Sequence, residues 1–177
     1  MSEIYLVFVV FLFVLAVFDL MVGVSNDAVN FLNSAIGAKV AKFRTIIIVA
    51  AVGVFMGATM SNGMMEVARN GVFHPAMFSL KELMFIFLAV IISDVILLDI
   101  FNNLGLPTST TVSLVFELLG GTTAFVLLKL ANDTTGLTVG DLMNTEKALG
   151  MIVAIFVSVA IAFFFGIVLQ YISRLVF

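Results

Sequence analysis

Long apolar runs separated by short polar segments divide the chain into predicted membrane helices over about 4–24 continuing to 37, 45–65, 83–101, 107–130 and 148–177. A single helix from 4 to 37 would be about 50 Å long at about 1.5 Å per residue, well past the ~30 Å of a hydrocarbon core. It therefore tilts, breaks near Gly23-Val24-Ser25, or protrudes. The fourth run has two readings: one span, or half-helices 108–119 and 122–130 hinged at Gly120-Gly121 as a re-entrant hairpin. The fifth is almost wholly aliphatic and aromatic and reads as scaffold. The pattern predicts an all-α integral membrane protein.

Polar positions inside the first run are not scattered. Asp19, Gly23, Asn26, Asp27, Asn30, Asn33, Ser34 and Gly37 recur at helical spacing and fall within an arc of roughly 120°. Unpaired amides and carboxylates cost several kcal/mol in lipid, so this seam faces protein, water or a ligand. A polar helix–helix contact is one reading. A carboxylate among three asparagines favours the other, a ligand or ion path.

The second run carries Gly53, Gly57 and Ser61, small residues at the spacing of close helix packing in lipid. Beyond it, Glu66 and Arg69 stand three apart, the spacing of an interfacial ion pair. The third run holds Ser93, Asp94 and Asp99, and ends in Asn102-Asn103, which share a face with Asp99. Four hydroxyls then follow a proline in Pro107-Thr108-Ser109-Thr110-Thr111. Proline suits a helix's first turn, one hydroxyl suffices to cap it, and the remaining hydroxyls with the free N–H groups form a seat for an anion.

Composition sharpens this picture. Hydrophobic residues are 63% of the chain and charged ones 11%, so a soluble domain could not hide its apolar surface. Nucleic-acid binding is excluded by the same figures and the net charge of −3. Without cysteine and with His74 alone, thiolate and histidine metal cages cannot be built, and no nucleophile–base pair at catalytic spacing points to an enzyme. All eight bases lie at or near run ends, with Lys39, Lys42 and Arg44 the densest group, placed on the cytoplasmic side by the positive-inside tendency. Asp19, Asp27, Asp94, Asp99 and Glu117 fall inside the runs, with Glu66 at an edge. Acids at membrane depth without partner bases imply that cations supply the counter-charge.

Three stretches together resemble the inorganic phosphate transporter (PiT) family. Asn26-Asp27-Ala28-Val29-Asn30 is similar to its N-D-x-x-N signature, Pro107-Thr108-Ser109-Thr110-Thr111 to its second, hydroxyl-rich signature, and Glu66-Val67-Ala68-Arg69-Asn70-Gly71-Val72 to the E-x-x-R-x-G segment between them. The resemblance covers nearly the whole chain and implies symport of inorganic phosphate with sodium or protons through two inverted repeats in the cell membrane. It implies Ser109, Thr110, Thr111 and Asn26 as phosphate ligands, and Asp27, Asn26, Asn30 and Glu66 as cation ligands. No cofactor or resident metal is implied beyond the transported sodium ion or proton. Two departures matter. The histidine that often follows the second signature is Val112 here, which tilts the expectation to sodium. Each signature occurs once rather than twice, so the expected chain is one repeat, needing a second copy or the missing C-terminal repeat. An anion channel or a non-transporting accessory subunit on the same half-fold is the alternative.

Overall fold

The computed structural model describes residues 2–61, 66, 70–132 and 136–176. Helix α1 is Ser2–Gly37, α2 Phe43–Met60, α3 Leu80–Leu104, α4 Thr110–Ala131, α5 a single turn at Val139–Leu142, and α6 Thr145–Val176, with a 3-10 turn at Pro75–Met77. No strand occurs among the described residues, and α1, α2, α3, α4 and α6 are each long and apolar enough to span a membrane. The protein is an all-α membrane protein.

Helices α1, α3 and α4 form the packed unit. Phe8 meets Phe85 edge-on at 6.0 Å near one end, and Asn26 meets Asn102 near the other, so α1 and α3 run parallel. α4 returns antiparallel, with Lys129 beside Glu82 and Thr110 beside Asp27. α2 and α6 stand at the margin with their apolar side chains exposed, as lipid-facing helices do.

The two ends of the unit differ. At the closed end, where α3 starts and α4 finishes, Phe73 packs edge-on to Phe78 at 5.5 Å and to Phe87 at 6.3 Å. His74 N donates to Leu142 O and Asn144 N to Val72 O, so the two connecting segments are stitched into one cap. Val72, Phe73, Ile86, Leu118, Val126 and Leu142 are fully sequestered there. Ser79 and Glu82 exchange bonds as a capping box that starts α3 cleanly. At the open end, Gly105 takes φ 67°, a left-handed conformation that glycine alone adopts without penalty. It turns the chain from α3 into the short link to α4.

α1 runs unbroken through Gly23-Val24-Ser25. α4 is likewise one helix through Gly120-Gly121, not two half-helices. The reason lies in packing: a Cβ on Gly121 would sit 3.3 Å from Val90 Cγ2, so the glycine lets α3 and α4 approach rather than hinge. Gly53 and Gly57 have no neighbour within 4 Å, leaving the small-residue face of α2 open. Residues 62–65 and Arg69, and with Arg69 its expected pairing with Glu66, lie outside the described residues.

Candidate functional site

The site begins where α1 meets the link between α3 and α4. Asn26 is 2% exposed and both ends of its amide are engaged. Its Nδ2 donates to Asn102 Oδ1 at 2.8 Å and to Leu106 O at 3.3 Å, while its Oδ1 accepts from Thr108 N at 2.8 Å. Asn102 in turn donates to Val22 O at 3.2 Å, and Asn30 Nδ2 donates to Thr108 O at 2.9 Å. One face of α1 thus binds the backbone of the link at both sides of Pro107 and fixes where α4 begins.

The first turn of α4 carries the chemistry. Ser109 Oγ accepts from Val112 N and caps the helix. Thr110 Oγ1 donates to Asp27 Oδ2 at 2.7 Å, and Thr111 is exposed beside it. A carboxylate, the exposed Thr111 hydroxyl and the N–H groups of a helix start therefore share one small region, near a cavity of about 90 Å³ against Asn26, Asn102 and Pro107.

Deeper in the unit lies a second polar layer. Ser113 Oγ reaches Asp94 Oδ1 at 2.8 Å and Glu117 Oε1 at 3.1 Å, and Asp19 faces Asp94 from α1. Asp94 stands eight residues before Asn102 on α3, which places this layer about 12 Å further from the open end. Three carboxyl groups from three helices meet there without a base. The ion pair found among the described residues, Lys129–Glu82, is at the closed end. Asp19 Oδ1 and Glu117 Oε2 are buried without a hydrogen-bond partner. Between the layers, Leu98 is fully buried, and the Gly23 Cα–H side lies against Leu98 Cδ1 and the Thr110 methyl. An apolar plug separates the two.

The model of the phosphate transporter family matches residues 23–177, from the middle of the α1 seam through α6. The chain belongs to the phosphate transporter family. Searches among curated proteins and among solved structures gave no match.

For a phosphate transporter the distribution of the expected residues is informative. Asn26, Asp27, Asn30, Ser109, Thr110 and Thr111, separated by some eighty positions, converge at the open end. Glu66 does not join them. It accepts from Asn70 Nδ2 at 2.9 Å, and Asn70 lines a cleft with Phe73, Leu83 and Phe87 at the closed end. From Phe87 to Asn102 along α3 is about 22 Å. Asn102 was not expected in the site, although an amide ending a helix just before the proline signature is a readable cue. Asp19, Asp94 and Glu117 stand out in the sequence as buried acids, yet only the three-helix packing shows them as one layer.

Proposed function

We propose that the chain moves inorganic phosphate across the cell membrane together with sodium, and that it supplies one half of the transport site. The observation that carries this reading is the contact of Asp27 with Thr110, which joins the two signature runs of a phosphate transporter family member in one place. Ser109, Thr110 and Thr111 offer hydroxyls and helix-start N–H groups to phosphate oxygens. Asp27, with Asn30, holds the cation. Asn26, both of whose amide atoms are committed, positions the α4 start rather than binding an ion directly. Glu66 takes no part at this end.

The order of binding follows from charge. A phosphate oxygen about 4 Å from the Asp27 carboxylate meets a repulsion on the order of 4 kcal/mol per charge pair at an effective dielectric near 20. A monovalent cation on Asp27 cancels that term, so phosphate binds well only to the cation-loaded site. The coupling has a physical cause in the absence of a base at the cradle.

Uptake of labelled phosphate into proteoliposomes under imposed sodium, potassium and proton gradients tests the reading. Sodium alone should drive saturable uptake, and Asp27→Asn should abolish it while insertion stays normal. Uptake indifferent to sodium, or ohmic anion current without coupling, would refute it.

A further inference from the structure

We propose that the cleft between the starts of α1 and α3 binds one anionic phospholipid, its phosphate at Lys81 and Tyr5 and its acyl chain on Phe8 and Phe85. The two helices run parallel, so their first turns reach the same membrane boundary. They do not close on each other there. A cavity of about 210 Å³ remains between them, lined by Ile4, Tyr5, Phe8, Lys81, Met84 and Phe85.

The lining is graded by depth. Tyr5 and Lys81 belong to the first turns of their helices, and Phe8, Met84 and Phe85 stand about one turn further in. The edge-on pair of Phe8 and Phe85, 6.0 Å between centroids, forms the inner part. Ile4 and Phe85 are themselves exposed, so the cleft opens sideways toward lipid. A tyrosine and a lysine at the rim with an apolar floor below match the polarity of a phospholipid from its head group downward. A free anion would leave the floor unused, and an acyl chain alone would leave the rim unused.

Charge selects the head group. Lys81 is exposed and has no acid partner among the described side chains. The acid next to it in sequence is committed elsewhere: Glu82 Oε2 accepts from Ser79 N and Oγ at 2.6 and 2.8 Å, and Oε1 accepts from Lys129 Nζ at 3.0 Å. The capping box and the bridge that build the closed end thus leave a full positive charge at the mouth of the cleft. Lys81 Nζ also stands 6.0 Å from the Phe85 ring centroid, so the ring that would attract a choline already carries a cation. A head group with a phosphate and no ammonium, such as phosphatidylglycerol, therefore fits better than phosphatidylcholine, and basic pockets between spanning helices do bind anionic head groups. The proposal stands apart from the transport site, which lies at the open end.

The chain has two tyrosines and no tryptophan, so in a Tyr171→Phe background the emission of Tyr5 alone reports on the cleft. The full chain is reconstituted in phosphatidylcholine vesicles containing rising fractions of phosphatidylglycerol brominated on its acyl chain. Tyr5 emission should be quenched to saturation at a low mole fraction. Brominated phosphatidylcholine should quench only in proportion to its share of the bilayer. Lys81→Met should raise the mole fraction for half quenching about fivefold, the effect of one surface base on an anionic lipid. Lys81→Arg should restore the parent value, and Lys147→Met, which removes another exposed base at the same end, should leave it unchanged. Identical curves for the two lipids would overturn the site, as would equal shifts in Lys81→Met and Lys147→Met. Relief of quenching by inorganic phosphate would overturn it in favour of a free anion. Absence of quenching by either lipid would overturn it in favour of a protein cover.

Discussion

Replacing Asn26 by alanine is the sharpest test of how the cradle is held. The side chain is almost wholly buried and makes three hydrogen bonds, to Asn102, Leu106 and Thr108. Two are 2.8 Å and one is 3.3 Å. At about 1 kcal/mol net each, with the longest worth less, the loss is about 2–3 kcal/mol. Asn102→Ala removes the shared bond and the one to Val22 O, for about 1–2 kcal/mol. Because the Asn26–Asn102 bond is counted in both, the double variant should fall short of the sum by about 1 kcal/mol. Asn26→Asp keeps an acceptor for Thr108 N but turns a carboxylate oxygen toward Asn102 Oδ1 and Leu106 O, so it should destabilise at least as much as alanine. Reversible unfolding in mixed micelles titrated with SDS reads these differences. A parent-like Asn26→Ala, within about 0.5 kcal/mol, or strict additivity with Asn102→Ala, would refute the account.

Adjacent glycines in α4 should respond differently. Gly121→Ala places its Cβ 3.3 Å from Val90 and should loosen the α3–α4 contact, whereas Gly120→Ala has no neighbour within 4 Å and should be neutral or slightly stabilising; equal unfolding midpoints would contradict this. Gly105→Ala forces a side chain into the left-handed region and should cost about 1–2 kcal/mol in the same titration, with Gly105→Asn recovering part of it. Lys129→Met removes the 3.0 Å pair with Glu82, the bond to Met77 O and the stack over Phe78, for about 1–2 kcal/mol. On the proposed function, uptake by the variant should keep its phosphate KM, since the proposed ligands all lie at the open end. A raised KM would tie that end to the site.

Much of this architecture was legible because lipid imposes a strong rule: apolar runs of about twenty residues become helices. The seam of α1 was legible for the same reason, since each amide in such a run needs a partner. Interior helix packing was less legible. Gly120-Gly121 carries the composition of a hinge, yet only the distance to Val90 shows that one of the pair is a contact surface. Hydropathy alone puts the α3 start at Leu83, although Ser79 and Glu82 spell a capping box that sets it at Leu80. The motif around Glu66 points to the site, while chain direction sets the residue at the closed end, beside Asn70. The convergence of Asp19, Asp94 and Glu117 depends on three helices at once, which no local pattern encodes.

The contrast between the two ends has a mechanical meaning. Aromatic edges, a stitched pair of connecting segments and the Lys129 bridge make the closed end stiff, whereas the open end is joined by a few amide bonds around Asn26. Helix α1 is 36 residues in one piece, so a tilt at one end is carried along its whole length. A swing of about 5° around the closed end displaces the open end, some 37 Å away along α3, by about 3 Å. That is the length of one hydrogen bond. The amides of Asn26 and Asn102 therefore sit where a tilt of α1 against α3 about the closed end acts on their bonds with the longest arm.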